Sequence, residues 1–230
     1  MNIKRIVVTS VVVLLIAASA SAQPRPDKSW RDWFGHFAGG WSIPQGNFGD
    51  IVDDGFSLAG GATYWPEDWP VGIVLEMGYS EYDISSSAID AINEEIDNSG
   101  GTGEITGGWA SSWSVTANLT WSPSSSGKGF YLIGGIGAYR VEGKISEDGL
   151  IYYPPVCNPW YWWCVPGGVG PGTIVVGSAS TTEFGWNAGA GWAFPVGSVG
   201  SQLYIESRYH SAETSPEATA YLPLAIGYRW

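Results

Sequence analysis

The chain has 230 residues, a formal net charge of −12, 33 glycines and 14 tryptophans, with only 14% of residues charged. Such an acidic balance argues against nucleic acid as a partner and against general electrostatic docking on an anionic surface. Abundant glycine and aromatic residues without long helical periodicity point to an all-β fold, and the length suits one domain or a small pair.

In chain order, Lys4 and Arg5 precede an apolar run over 6–18, and Ala20-Ser21-Ala22 follows. A charged start, an apolar stretch and an A-x-A site make a secretory signal peptide over 1–22, cleaved after Ala22. An N-terminal membrane anchor is the alternative, but the run is short of a full span. Loss of Lys4 and Arg5 takes the formal charge from −12 to −14. Residues 23–32 then form a short periplasmic segment, and 33–230 the folded domain.

Eight strands are predicted, at 33–43, 55–65, 70–81, 109–122, 129–144, 181–195, 200–211 and 218–230. Their connections alternate in length. Pro66-Glu67-Asp68, residues 123–128 and residues 196–199 are tight turns, whereas 82–108 and 145–180 are long loops. Residues 87–98, SAIDAINEEIDN, read equally as a short helix or as a flexible acidic loop.

Alternation along the strands separates two faces. Trp33, Phe37, Trp41 and Ile43 oppose Phe34, His36, Ala38, Gly40 and Ser42; Ile73, Leu75, Met77 and Tyr79 oppose Gly72, Val74, Glu76, Gly78 and Ser80. The charged residues Glu76, Arg140, Glu142, Glu183, Glu206, Arg208 and Arg229 are assigned to the polar face, as a luminal charge network. The polar face is rich in Gly, Ser, Thr and Asn rather than Lys, which fits a narrow interior filled by side chains. Aromatics of the apolar face gather at strand ends. Trp33, Tyr64, Trp121, Tyr131, Trp192, Tyr228 and Trp230 form one expected girdle, and Trp41, Phe56, Tyr79, Trp109, Tyr139, Trp186 and Tyr209 the other. Two girdles around an aliphatic band match the two interfaces of a membrane. The expected fold is therefore a closed antiparallel eight-stranded transmembrane meander β-barrel, with short periplasmic turns and longer extracellular loops. A soluble periplasmic sandwich shows similar alternation, and a lipocalin-like carrier reverses it; both stand as alternatives.

The terminal segment YLPLAIGYRW alternates Leu222, Leu224, Ile226, Tyr228 and Trp230 on its apolar face. This resembles the closing strand of small outer-membrane β-barrels of the OmpA/OmpX type. The resemblance implies export, an assembly signal carried by Leu224, Ile226, Tyr228 and Trp230, insertion by the outer-membrane assembly machinery, and contact with outer-membrane lipid. Pro223 departs from a regular strand, because it lacks a ladder N–H, and demands a bulge or a locally unpaired neighbour.

No catalytic, cofactor or metal site is assigned. His210 and Ser211 are neighbours on one strand, so their side chains diverge, which disfavours the alternative of an outer-membrane enzyme acting on lipid A. Cys157 and Cys164 are expected to form a disulfide in an exported chain, with free thiols or a metal site as alternatives. The ring they would close carries Trp160, Tyr161, Trp162 and Trp163, a candidate contact site for an extracellular ligand or host surface; packing on the outer leaflet or over the barrel mouth is the other reading. A monomer is expected.

Overall fold

The computed structural model describes residues 32–230 apart from 67–68, 102, 125–127, 154–155, 159–162, 166–167, 197–200 and 215–217. The leader and residues 23–31 lie outside the described residues. The strands are β1 (Trp33–Gln45), β2 (Gly55–Tyr64), β3 (Val71–Asp83), β4 (Gly107–Trp121), β5 (Gly129–Tyr153), β6 (Val156–Asn158), β7 (Trp163–Val165), β8 (Gly168–Pro195), β9 (Gln202–Ala212) and β10 (Thr219–Arg229). Two helices, α1 (Asn47–Ile51) and α2 (Ser86–Asn98), lie in the β1–β2 and β3–β4 connections.

Eight strands close into one antiparallel barrel in the order β1-β10-β9-β8-β5-β4-β3-β2, and β6 and β7 form a separate two-stranded ribbon. The seam between the first and last strands runs from His36↔Arg229 to Gln45↔Ala220. Trp230 extends it by exchanging two backbone hydrogen bonds with Gly35, at 3.0 and 3.1 Å. Pro223 causes no register slip. β10 pairs with β9 as Tyr221↔His210 and again as Leu224↔Ser207, and the rungs between them, at residues 222 and 223, are absent because proline has no N–H to offer.

The strands alternate as the two-residue period demands. Leu75, Met77, Val115, Leu119, Leu224 and Ile226 stand on the outside, each more than half exposed, while Ser42, Thr63, Asn118 and Thr120 are fully buried inside. The predicted faces of β1, β3, β4, β8, β9 and β10 are those observed.

In β5 the faces are reversed from expectation. Tyr131 and Tyr139 are fully buried in the lumen, and Arg140 is exposed on the outer wall with Glu142 and Lys144 above it on the same parity. Both parities of this strand are largely apolar or glycine, so hydropathy does not choose between them. Steric fit chooses instead. The luminal aromatics lie over glycines of the adjacent strand, where a Cβ would collide: Tyr131 over Gly191, Tyr204 over Gly227, and Tyr139 over Gly185, a Cβ on which would come within 2.8 Å of the ring. Trp65 covers Gly72, and Tyr82 covers Gly55, in the same way. Phe130, 41% exposed, takes the outer position expected for Tyr131.

The span 145–180 is also not an irregular loop. β5 and β8 remain paired from Gly129↔Ala193 up to Tyr153↔Gly168, with one irregularity between Ile145 and Ser146. β4 ends at Gly107↔Ser146, so the hairpin continues seven residues further along β5, about 23 Å at ~3.3 Å per residue. Residues 87–98 belong to helix α2. The Ser85 hydroxyl caps it by accepting from the Ala88 N–H at 3.3 Å, and the Asn93 side chain clamps both backbone groups of Ile105 at 2.7 and 2.9 Å.

A closed sheet resists detergent until heated, so unboiled protein is expected to migrate differently from boiled protein on a denaturing gel. Identical migration would overturn closure. Gly227→Val, which drives a side chain into Tyr204, is expected to destabilise the folded band by about 1–3 kcal/mol in a urea series.

Candidate functional site

The lumen holds a buried charge cluster assembled from three strands. Arg208 and Glu206 sit two residues apart on β9 and therefore face the same way. Arg208 donates from Nη1 to Oε1 of Glu76 on β3 at 2.8 Å, and from Nε to Oε1 of Glu206 at 3.0 Å, with a second, shorter contact from Nη2. His36, from β1, lies 3.1 Å from Glu76 Oε2 through Nε2, and its Nδ1 is 3.3 Å from the Thr63 hydroxyl. A neutral imidazole protonated at Nε2 satisfies both contacts: it donates to Glu76 and accepts from Thr63. Tyr131 donates to Glu206 Oε2 at 2.8 Å. Arg229 is held separately, over the rings of Tyr131 and Tyr204 at 5.6 and 5.3 Å. Glu76 and Glu206 thus share Arg208 as their cation. Each of the three is costly to bury alone and tolerable only because it is paired.

Apolar layers close the lumen on either side of this cluster. Toward the short turns lie Trp65, Val74, Tyr131, Ile133 and Tyr204. Toward the long loops lie Val52, Tyr82, Tyr139 and Tyr221, with Phe48 of α1 packed edge-on against Tyr82 at 5.2 Å. Between the layers, a small cavity is bordered by Glu76, Ser114, Arg208, His210, Tyr221 and Pro223.

The seven residues expected to form one network are not brought together. Glu76, Glu206 and Arg208 form the cluster, and Arg229 lies below it. Glu183 is on the inner parity of β8 near the upper rim, where it accepts from the Thr181 hydroxyl at 2.7 Å. Arg140 and Glu142 are on the outer wall, so their assignment to the lumen is corrected. Glu142 pairs with Lys144 at 2.7 Å, and that hydrogen bond holds its carboxyl below the usual carboxylate range. The cluster also draws in His36, Thr63 and Tyr131, which sequence reasoning did not assign to it. A usable signal was present for His36, the one ionisable side chain on the polar face of β1.

His210 and Ser211 do diverge. The His210 ring stacks on Tyr221 at 5.0 Å and meets the Tyr139 hydroxyl at 3.1 Å, while Ser211 pairs with Trp186 on the opposite parity. Cys157 and Cys164 are direct cross-strand partners in the β6–β7 ribbon. Their side chains and that of Trp163 lie outside the described residues, as do Trp160, Tyr161 and Trp162 altogether. Leu224, Ile226, Tyr228 and Trp230 all face outward, with the Tyr228 and Trp230 rings stacked at 6.0 Å.

A second feature lies above the barrel. β8 pairs with β9 only from Gly185 onward, so over residues 168–183 it has β5 on one side and no strand on the other among the described residues. Val169, Ile174, Val175 and Val176 are exposed along this stretch.

No family model and no curated protein matches the sequence. Among solved structures, similarity extends to Ail, the attachment invasion locus protein of Yersinia pestis, crystallised with the heparin analogue sucrose octasulfate. It is 15% identical over 86% of this chain and 99% of that one, with a TM-score of 0.49. Neisserial surface protein A is 12% identical over 86% and 96%, with a TM-score of 0.45. The N-terminal β-barrel domain of Pseudomonas aeruginosa OprF is 11% identical over 86% and 98%, with a TM-score of 0.40. These are distant likenesses, and the closed eight-stranded fold of this chain stands on its own strand register.

Arg208→Ala leaves two buried carboxylates without their shared cation. A loss of about 3–5 kcal/mol is expected in urea unfolding from lipid vesicles, against less than about 1 kcal/mol for Arg140→Ala on the outer wall. Equal losses would mean that the cluster does not hold the lumen together.

Proposed function

We propose that the chain is a bacterial outer-membrane barrel that is closed to solutes and carries a binding ribbon on its extracellular side. One observation carries the first part: the entire girth of the barrel is apolar on its outside. Ile73, Leu75, Met77, Val115, Leu119, Leu132, Ile136, Ile205, Leu224 and Ile226 form an exposed band around the strands, far beyond the apolar patches that a protein in water displays. No helix among the described residues is long and apolar enough to cross a membrane; strands do the crossing, and closure satisfies their backbone groups. The rims carry Trp33, Trp121, Phe130 and Trp192 at the short-turn end and Trp41, Trp113, Phe184 and Trp186 toward the long loops, as interfacial aromatics do. The short turns are then periplasmic, and the plugged lumen favours a structural role over conduction. The apolar alternation ending in Trp230 supports recognition by the assembly machinery.

For the second part, a free strand edge offers a row of backbone donors and acceptors to an incoming extended segment. Residues 168–183 present such an edge, with Ile174, Val175 and Val176 available for side-chain contacts. The ligand is accordingly an extended segment of a partner protein that adds as a strand. Asp50, Asp53, Asp54, Asp90, Glu94, Glu95 and Asp97 stand exposed in the β1–β2 and β3–β4 connections at the same end of the barrel, so a strongly acidic partner would be repelled. A disulfide between Cys157 and Cys164 would pin the ribbon's tip, where the register already places them opposite each other.

Cell fractionation tests the localisation: the protein is expected in the outer-membrane fraction after alkaline extraction, and its recovery as a soluble monomer in plain buffer would refute the reading. Removing residues 147–174, which joins Ser146 to Val175, is expected to preserve heat-modifiable folding while abolishing adhesion to partner surfaces. Unchanged adhesion would refute the ribbon as the binding element.

A further inference from the structure

Among the described residues there are five Lys and Arg side chains: Lys128, Arg140, Lys144, Arg208 and Arg229. Arg208 and Arg229 are inside the lumen, and Lys128 borders a short turn. The two that remain stand on the same outward parity of one strand, four residues apart, at the height where the apolar band ends. Arg140 lies opposite Trp113 and Lys144 opposite Trp109 on β4. The Lys144 ammonium sits 4.4 Å from the centroid of the Trp109 ring. From these placements we infer that Arg140 and Lys144 form a clasp on the outer wall for a phosphorylated lipid headgroup, specifically a disaccharide lipid carrying two phosphates. The inference rests on the outer-membrane reading above and adds a ligand to it.

Two of the neighbouring carboxylates are already engaged, and a third, Asp83, stands exposed on β3 at the rung of Trp109, two strands from Lys144. Glu142, between the two cations, bonds Lys144 at 2.7 Å, and Glu81 accepts from the Tyr79 hydroxyl at 2.5 Å. Arg140 is exposed and makes no ion pair within 4 Å among the described residues, and Lys144 keeps two further N–H donors beyond its bond to Glu142. Four residues of strand set the Cα atoms of Arg140 and Lys144 about 13 Å apart along the wall, a spacing on the scale of two phosphates at opposite ends of a disaccharide. Guanidinium groups bind phosphate with paired hydrogen bonds, and an ammonium acts as a point charge. Trp109 and Trp113 provide ring surface for the sugar and upper acyl segments of the same lipid. The acidic net charge of the chain does not oppose this, because the acidic residues of α1 and α2 lie in the loops above, whereas the clasp is on the wall at headgroup height.

The test uses the full chain folded into phosphatidylcholine vesicles, with lipid A as the bis-phosphorylated probe and its monophosphorylated form as control. Protein-bound lipid is counted after extraction into mild detergent. The wild-type protein is expected to retain lipid A, with about tenfold weaker retention for each of Arg140→Gln and Lys144→Gln. The monophosphorylated lipid is expected to lose a comparable factor with the wild-type protein and nothing further with the double variant. Glu142→Gln, which removes a competing anion, is expected to tighten retention, whereas a purely structural triad would be weakened by it. Inorganic phosphate at equal concentration should not displace the lipid. Equal retention by wild type and the double variant, or displacement by inorganic phosphate, would overturn the clasp while leaving the membrane reading intact. Failure of the wild-type protein to insert, read from unchanged migration on heating, would instead sink the membrane reading.

Discussion

A sheet that turns an apolar face outward cannot leave its ladder open, because each unpaired backbone group costs several kcal/mol where no water reaches it. In this chain the demand falls on the seam between β1 and β10, which joins residues nearly two hundred positions apart. Ten consecutive partners run along that seam, and Trp230 adds a final backbone pair while its ring lies against Gly35, within 2.8 Å of where a Cβ would stand. The parity of every strand, the contents of the lumen and the position of the rims all presuppose this closure.

The interior then has to be filled. Eight strands enclose a space just wide enough for side chains, and here large rings are accommodated by recesses opposite them: tyrosines on the strands, and Trp65 just past β2, lie over glycines of the neighbouring strand. The charged cluster occupies the level between two ring layers. A luminal ion pair is weak evidence for stability, since apolar side chains of the same volume often serve as well. Its value lies in register. A slip of one residue would turn Glu76, Glu206 and Arg208 to the outside and bring Leu75, Ile205 and the aromatics in, so the polar lumen makes the alternative pairings prohibitive.

Much of this was legible in the sequence, because alternation is a local property. The eight strands, the faces of six of them, and the closing role of 222–230 follow from period-two hydropathy. Glu76, Glu206 and Arg208 were visible as inward charges, although the meeting of β3 and β9 across the lumen was not. β5 misled because its discriminating signal is not hydropathy. Tyr131 and Tyr139 are inside for want of a Cβ on Gly191 and Gly185, residues far away in sequence. Once Tyr139 is inward, Arg140 must be outward, and its charge is tolerable because the strand has reached the rim. The upper hairpin was missed for another reason. Gly and Pro in 167–172 mark turns in most settings, yet Gly168, Gly170, Pro171 and Gly172 lie in β8, paired with β5 in a two-stranded ribbon. Helix α2 could not be separated from a loop because Ile89, Ile92 and Ile96 mark one face in an otherwise polar, acidic segment, and none of its side chains is fully buried.

The ribbon formed by the distal halves of β5 and β8 shares no rung with β4 beyond Ser146 and none with β9 before Gly185. Its length is therefore mechanically decoupled from the cylinder beneath it. Matched insertions or deletions in its two arms shift no other ladder and move no luminal side chain. Tall and short forms of this appendage are thus compatible with one constant wall beneath it.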